Sequence, residues 1–219
     1  METKPYKGVY VLAVHWSNDK IGVGPLEDGV CRTFAIVYRY TVEKYIIDAT
    51  LSQYDTRKAF RKRMDKFTED YNRPGNLLIV VYSGHAAHIA SSGQFLLVGD
   101  LDKRSNLAKP TLDWNEEVSP RITDTVADVL VILNCCYASS IAVDDRTGPE
   151  ILAASAWQTL ARAALSTSFT QNLIDEFKRL NGKPASVASI YTQISSFVTY
   201  YILLRVIDHM NCVYIRHCA

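Results

Sequence analysis

The sequence predicts an α/β fold: a mostly parallel central sheet of about six strands with helices on both faces. Three observations predict it. Short β-prone runs alternate with helix-period segments along the 219 residues. Two of the runs, GVYVLAVHW and NLLIVVYS, are apolar almost throughout, as in strands buried on both faces. The composition, 48% apolar and 21% charged, is that of one ordinary globular domain spanning residues 1–219.

Each element follows in order. Gly8–Trp16 is the first strand, and a Gly-containing loop, Ser17–Pro25, follows it. Leu26–Tyr40 reads as a helix with Val30, Phe34 and Val37 on one face. Tyr40–Ile47 is the second strand. Ser52 caps a helix over Gln53–Tyr71, whose apolar stripe is Phe60, Met64 and Phe67. Arg73-Pro-Gly75 breaks the chain before the third strand, Asn76–Ser83. A loop of small residues leads to a β segment at Gln94–Val98, and one helix is expected around Trp114. Asp128–Leu133 is the fourth parallel strand and runs into Asn134-Cys-Cys136. Ile141–Pro149 is a polar loop and Glu150–Ser155 a short strand. Ser168–Leu180 is a helix capped by Ser168 and ended by Asn181-Gly182. Ser186–Arg205 reads as a buried helix, and Asn211–His217 as a closing strand.

Charge and cysteine usage exclude several classes. A net charge of +1 speaks against a nucleic-acid domain. The cluster Arg57, Lys58, Arg61, Lys62, Arg63 and Lys66 reads as a solvated helix face. No signal peptide is read at the start. The uncharged stretch Val187–Leu204 carries too many hydroxyl and amide groups for a lipid-facing span, so no membrane partner is expected. Five cysteines, an odd number without a CxxC pair, argue against a disulfide framework or a zinc site. A reducing, cytoplasmic setting is expected.

The chemistry is expected at the carboxyl ends of the parallel strands. The run LLIVVYSGHAAH delivers His85 there, and DVLVILNCCYAS delivers Cys135 and Cys136. If the two strands are neighbours, a thiol and an imidazole share one crevice. An imidazole that takes the thiol proton makes the sulfur a nucleophile. An isolated cysteine or histidine at a strand end is more often core; the joint occurrence is what points to chemistry.

These segments resemble those of caspase-like proteins. Tyr82-Ser-Gly-His85 is similar to their YSGHG motif, and Asn134-Cys-Cys-Tyr-Ala-Ser139 to their DCCYAG or DSCHSG motif, with the His about 50 residues before the Cys. EILAAS at 150–155 and SFTQNLI at 168–174 resemble ELLAAS and SFT.ALI segments of fungal caspase-like domains. The resemblance implies a three-layer caspase-like sandwich whose last strand is antiparallel. It implies a cysteine endopeptidase, with protein or peptide substrates and a part in regulated cell death. Cys136 takes the nucleophile's place, His85 the general base's, and the amides of Cys136 and Ala86 the oxyanion hole's. Cys135 falls beside the nucleophile as a packed neighbour, and His88 has no counterpart.

Three positions depart from the pattern: Ala86 and Ser139 replace glycines, and Asn134 replaces an aspartate. A Cβ at Ala86 is expected to hinder a backbone conformation that glycine permits. In metacaspases the aspartate pairs with a basic P1 residue, whereas caspases carry glutamine there and cleave after aspartate. Asn134 leaves the choice open, with Asp19 or Asp28 available to a basic P1 side chain and Lys20 to an acidic one. Ser155 and Trp157 complete the expected substrate-binding set. No cofactor is implied. Calcium activation, known in metacaspases, stays open through Asp100, Glu116, Glu117 and Asp144. The loop at 141–149 is a candidate processing site, and a regulatory or oligomerising partner is compatible. The departures also admit a catalytically impaired binding or scaffold domain. A small-ligand α/β domain lacks a GxGxxG or GxxxxGK[ST] motif.

Overall fold

The structure, a computed structural model, describes residues 6–100, 109–138, 148–154, 169–195, 202–204 and 214–215. Strand β1 (Gly8–Trp16) leads to helix α1 (Val23–Arg32), which continues into a π-helical turn at Thr33–Val37. Then come β2 (Thr41–Ile47), α2 (Gln53–Tyr71), β3 (Asn76–Ser83), β4 (His85–Ile89), β5 (Gln94–Val98) and β6 (Thr111–Asp113). The short helices α3 (Trp114–Glu117) and α4 (Ser119–Ile122) precede β7 (Asp128–Asn134) and β8 (Glu150–Ala153). The remainder is α5 (Phe169–Leu180), β9 (Ala185–Ser186), α6 (Val187–Ser195), β10 (Ile202–Leu204) and β11 (Tyr214–Ile215).

The central sheet has six strands in the order β10-β8-β7-β3-β1-β2. All of its pairings are parallel except that of β10 with β8. Successive side chains point to opposite faces, so each buried strand feeds two cores. Val11, Ala13, Ile79, Val81, Leu130 and Ile132 face α1, α5 and α6. Leu12, Val14, Leu78, Val80, Val131 and Leu133 face α2, the short helices and the separate antiparallel sheet β4-β5-β6. This explains why all eight residues of NLLIVVYS are buried: β3 lies inside the sheet with a layer on each side.

Helix α2 is built as the sequence predicts. Ser52 Oγ accepts the Asp55 amide at 3.1 Å and donates to the Asp55 carboxylate at 2.6 Å, closing the first turn. Its basic residues are more than a solvated face. Arg57 and Arg61 converge on the fully buried Glu117, Arg63 pairs with Glu43 on β2, and Lys66 pairs with Asp70. The first helix begins at Val23 rather than Leu26, because the Asp19 carboxylate accepts the Val23 amide at 3.1 Å and caps it earlier.

Three expectations are corrected. His85–Ile89 is a strand rather than a loop, paired antiparallel with β5. The small side chains of Ala86 and Ala87 give no local β signal, and the partner strand decides. Within the expected helix 186–205, Val187–Ser195 is helical as α6, but Ile202–Leu204 is the antiparallel edge of the central sheet. An uncharged apolar run does not distinguish a buried helix from a buried strand. The closing segment pairs Tyr214–Ile215 with β9 in a separate two-stranded sheet rather than joining the central one. The expected cap Ser168 and residues 141–147 of the candidate processing loop 141–149 lie outside the described residues.

Phe177 on α5 ties the helical layer together. It is fully buried against Phe34 and Tyr38, with ring centroids at 5.0 and 5.6 Å. Phe177→Ala is expected to lower unfolding free energy by about 3–5 kcal/mol, read from the shift of a denaturant midpoint.

Candidate active site

The site starts from a register. Strands β3 and β7 pair in parallel with Ser83 opposite Asn134, and both end there. The Gly84 amide adds one more hydrogen bond across the pair, to the Asn134 carbonyl at 3.2 Å. His85 and Cys136 each follow two residues beyond the aligned pair, on strands about 4.8 Å apart. Both are part-exposed. The fold therefore brings the imidazole and the thiol to one edge of the sheet, on neighbouring strand ends.

The backbone turns sharply at both residues. Gly84 has φ +150°, and a Cβ there would sit 2.9 Å from the Tyr82 hydroxyl. That hydroxyl belongs to a buried ring and donates to the His85 carbonyl at 2.6 Å. Tyr82 thus holds the first residue of β4, and glycine is required beside it. On the other strand Tyr137 takes φ +55°, turning the chain directly after Cys136. Ala86 lies in extended β4 outside the left-handed region, so its Cβ brings no backbone strain; this corrects the expectation drawn from the missing glycine. Its methyl packs into the core on the α2 face.

The two adjacent cysteines are not equivalent. Cys135 is buried, and its desolvation, with the neighbouring Cys136 sulfur second, holds the thiol well above its usual range. Burial also raises Cys31, to about 11. Both stay protonated near neutral pH and make poor nucleophiles.

The expected substrate-binding residues separate. Asn134 ends β7 beside the site, half-buried. Asp19 caps α1 through one oxygen, while its other oxygen is buried with no hydrogen-bond partner among the described residues. Asp28 points to β2, where Lys44 pairs with it and lowers its carboxyl. Lys20 pairs with Asp100. Ser155 and Trp157 lie outside the described residues, as does Asp144. Glu116 and Glu117 hold Arg57 and Arg61, and no cluster of three or more metal-ligating side chains occurs among the described residues.

The sequence reading missed three residues. Glu27 of α1 is fully buried, with Oε1 2.8 Å from His15 Nδ1. Ser83 is also buried. One signal was available: Glu27 interrupts the apolar stripe Val23, Val30 and Phe34 on the helix face turned to the sheet.

No protein-family model matches the sequence, and none of the curated proteins does. Among solved structures, the chain is similar to caspase-1 from Spodoptera frugiperda, with a TM-score of 0.60 and 10% sequence identity. The match covers 90% of this chain and 79% of that one. The class is therefore set at the level of architecture: the chain has a caspase-like α/β fold. Among the described residues no helix is long and apolar enough to cross a membrane.

The Tyr82–Gly84 lock carries a prediction. Gly84→Ala is expected to cost about 1–3 kcal/mol of stability, since both φ and the Tyr82 hydroxyl oppose a side chain. Tyr82→Phe is expected to cost about 1 kcal/mol and to slow alkylation of Cys136. Denaturant titration and adduct mass spectrometry read the two effects.

Proposed function

We propose that this chain is a cysteine endopeptidase in which Cys136 is the nucleophile and His85 the general base. The supporting observation is the β3–β7 register, which leaves both side chains part-exposed at one sheet edge. In this reading His85 takes the Cys136 proton and the sulfur attacks a peptide carbonyl. The amides of Cys136 and Ala86 stabilise the tetrahedral oxyanion, each worth about 100- to 1,000-fold in rate. His85 then protonates the departing amine, and water, deprotonated by His85, hydrolyses the thioester. The substrates are proteins or peptides. The motif resemblance to metacaspases and fungal caspase-like domains suggests a cytoplasmic role in regulated cell death.

The test is selective chemistry. Iodoacetamide is expected to modify Cys136 at least about tenfold faster than Cys31 or Cys135, since burial keeps the latter two protonated. Cys136→Ala and His85→Ala are each expected to lower peptide hydrolysis by about 1,000-fold or more. Full hydrolysis by Cys136→Ala would overturn the assignment. A protein whose Cys136 resists labelling, folded and free of hydrolysis, would instead be a binding or scaffold domain.

A further inference from the structure

Helix α2 packs Phe60, Met64 and Phe67 into the core and turns its opposite face to solvent. Along that face runs a shallow groove of about 1030 Å³, lined entirely by residues of the helix. Five of its side chains are basic, Arg57, Lys58, Arg61, Lys62 and Lys66, and two are acidic, Asp65 and Glu69. The basic ones at the middle of the groove fall into two sets. Arg57 and Arg61 both meet the fully buried Glu117, and Arg57 also reaches Glu116. Lys58 and Lys62 are exposed one turn apart, and neither has an ion-pair partner among the described residues. Over these two turns four cations thus face two carboxylates, an excess of two positive charges. At the start of the helix, one turn before Lys58, Tyr54 is 71% exposed.

We propose that this face of α2 docks an acidic segment of a partner protein, with Lys58 and Lys62 pairing its carboxylates and Tyr54 anchoring one end. The inference goes beyond the endopeptidase reading and does not depend on it. The charge pattern favours a peptide over other polyanions. Asp65, Glu69 and Asp70 stand at the far end of the groove, where Asp70 takes up Lys66. A surface of uniform negative charge, such as a membrane or a nucleic-acid backbone, would press against these acids as well. A peptide can place its carboxylates at Lys58 and Lys62 and end them there. The spacing fits too. Residues four apart on a helix are displaced about 6 Å along its axis. Alternate residues of an extended chain are about 7 Å apart. Carboxylates two residues apart in an extended segment therefore meet successive lysines.

The face is partly organised in advance. Glu117 is fixed by burial and holds both arginine side chains, so fewer groups need ordering when a partner arrives. The two guanidinium groups share that carboxylate and add to the field felt by an incoming acid. Each exposed ion pair contributes little by itself. Docking therefore relies on several such pairs together with the Tyr54 ring, which buries apolar area while its hydroxyl stays wet. Interactions of this kind are weakened by salt.

The probe is a fluorescein-labelled dodecapeptide of alternating glutamate and serine, titrated with the full chain and read by anisotropy. Saturable binding is expected, weakening about tenfold between roughly 50 and 200 mM salt. Lys58→Glu with Lys62→Glu is expected to weaken it about tenfold or more, and Tyr54→Ala about threefold. Lys58→Gln with Lys62→Gln removes the charge without adding repulsion inside α2. It is expected to weaken binding less than the reversal does, and it decides the matter if the reversal disturbs the helix. Lys178→Glu with Lys183→Glu changes the net charge by the same amount at exposed lysines of α5 and the turn after it. That variant is expected to bind as the unmodified chain does. Absence of saturable binding overturns the proposal, as does equal weakening by the α5 pair. Tighter binding of phosphatidylserine vesicles or of a thymidylate dodecamer, lost in the same α2 variants, overturns it in favour of a membrane or a nucleic acid.

Discussion

The parallel pairing of β3 with β7 is the constraint on which the rest depends. Seven residue pairs run from Leu77–Asp128 to Ser83–Asn134, and Gly84 extends the ladder by one hydrogen bond. Both strands are apolar on both faces, so a slip of one residue would exchange every side chain between two differently shaped cores. The register is thereby held by packing along the whole strand, although its chemical consequence falls at one end. There it aligns the departure points of His85 and Cys136. The Tyr82 hydroxyl, donated to the His85 carbonyl from within the core, couples the packed strand to the first residue of the site.

The same alternation sorts the polar groups. Even-numbered residues of β1 and β3 pack toward α2, and odd-numbered ones toward α1 and α5. Where the strands end, the second set becomes His15 and Ser83, and Asn134 joins them from β7. Burial, with the neighbouring Cys136 sulfur second, holds the Cys135 thiol well above its usual range. Cys135 is turned into the core on the α2 face, while Cys136 reaches the edge. One structural device, the period-2 alternation of a strand buried on both faces, thus provides an inert thiol, an accessible thiol and a polar row beside it.

Several elements could be read directly from the residues. Helix α2 has its cap, its apolar stripe and its breaker within one segment, and its bounds agree with the reading. Strand β3 does too, because the apolar run Leu77–Tyr82 between a Pro-Gly break and a Gly has one economical explanation. The segments that escaped are those whose state depends on a distant partner. His85–Ile89 becomes a strand because β5 pairs with it, and Ile202–Leu204 because β8 does. Glu27 stands in the apolar stripe of α1, but a charged residue on a helix is ordinarily solvated; its burial and its contact with His15 mark it as internal.

By itself the sequence determined that this is an α/β chain with buried strands, and that a histidine and a cysteine stand at the ends of two of them. Those features are written in local periodicity and in the residues that follow each apolar run. The tertiary structure alone decided that the two strands are neighbours, that Tyr82 braces the turn, and that a carboxylate from α1 closes over His15. The physical reason is that burial patterns are short-ranged along the chain, whereas strand order is set by pairing between segments tens of residues apart. Many strand orders would satisfy the same apolar runs, and only one of them is realised.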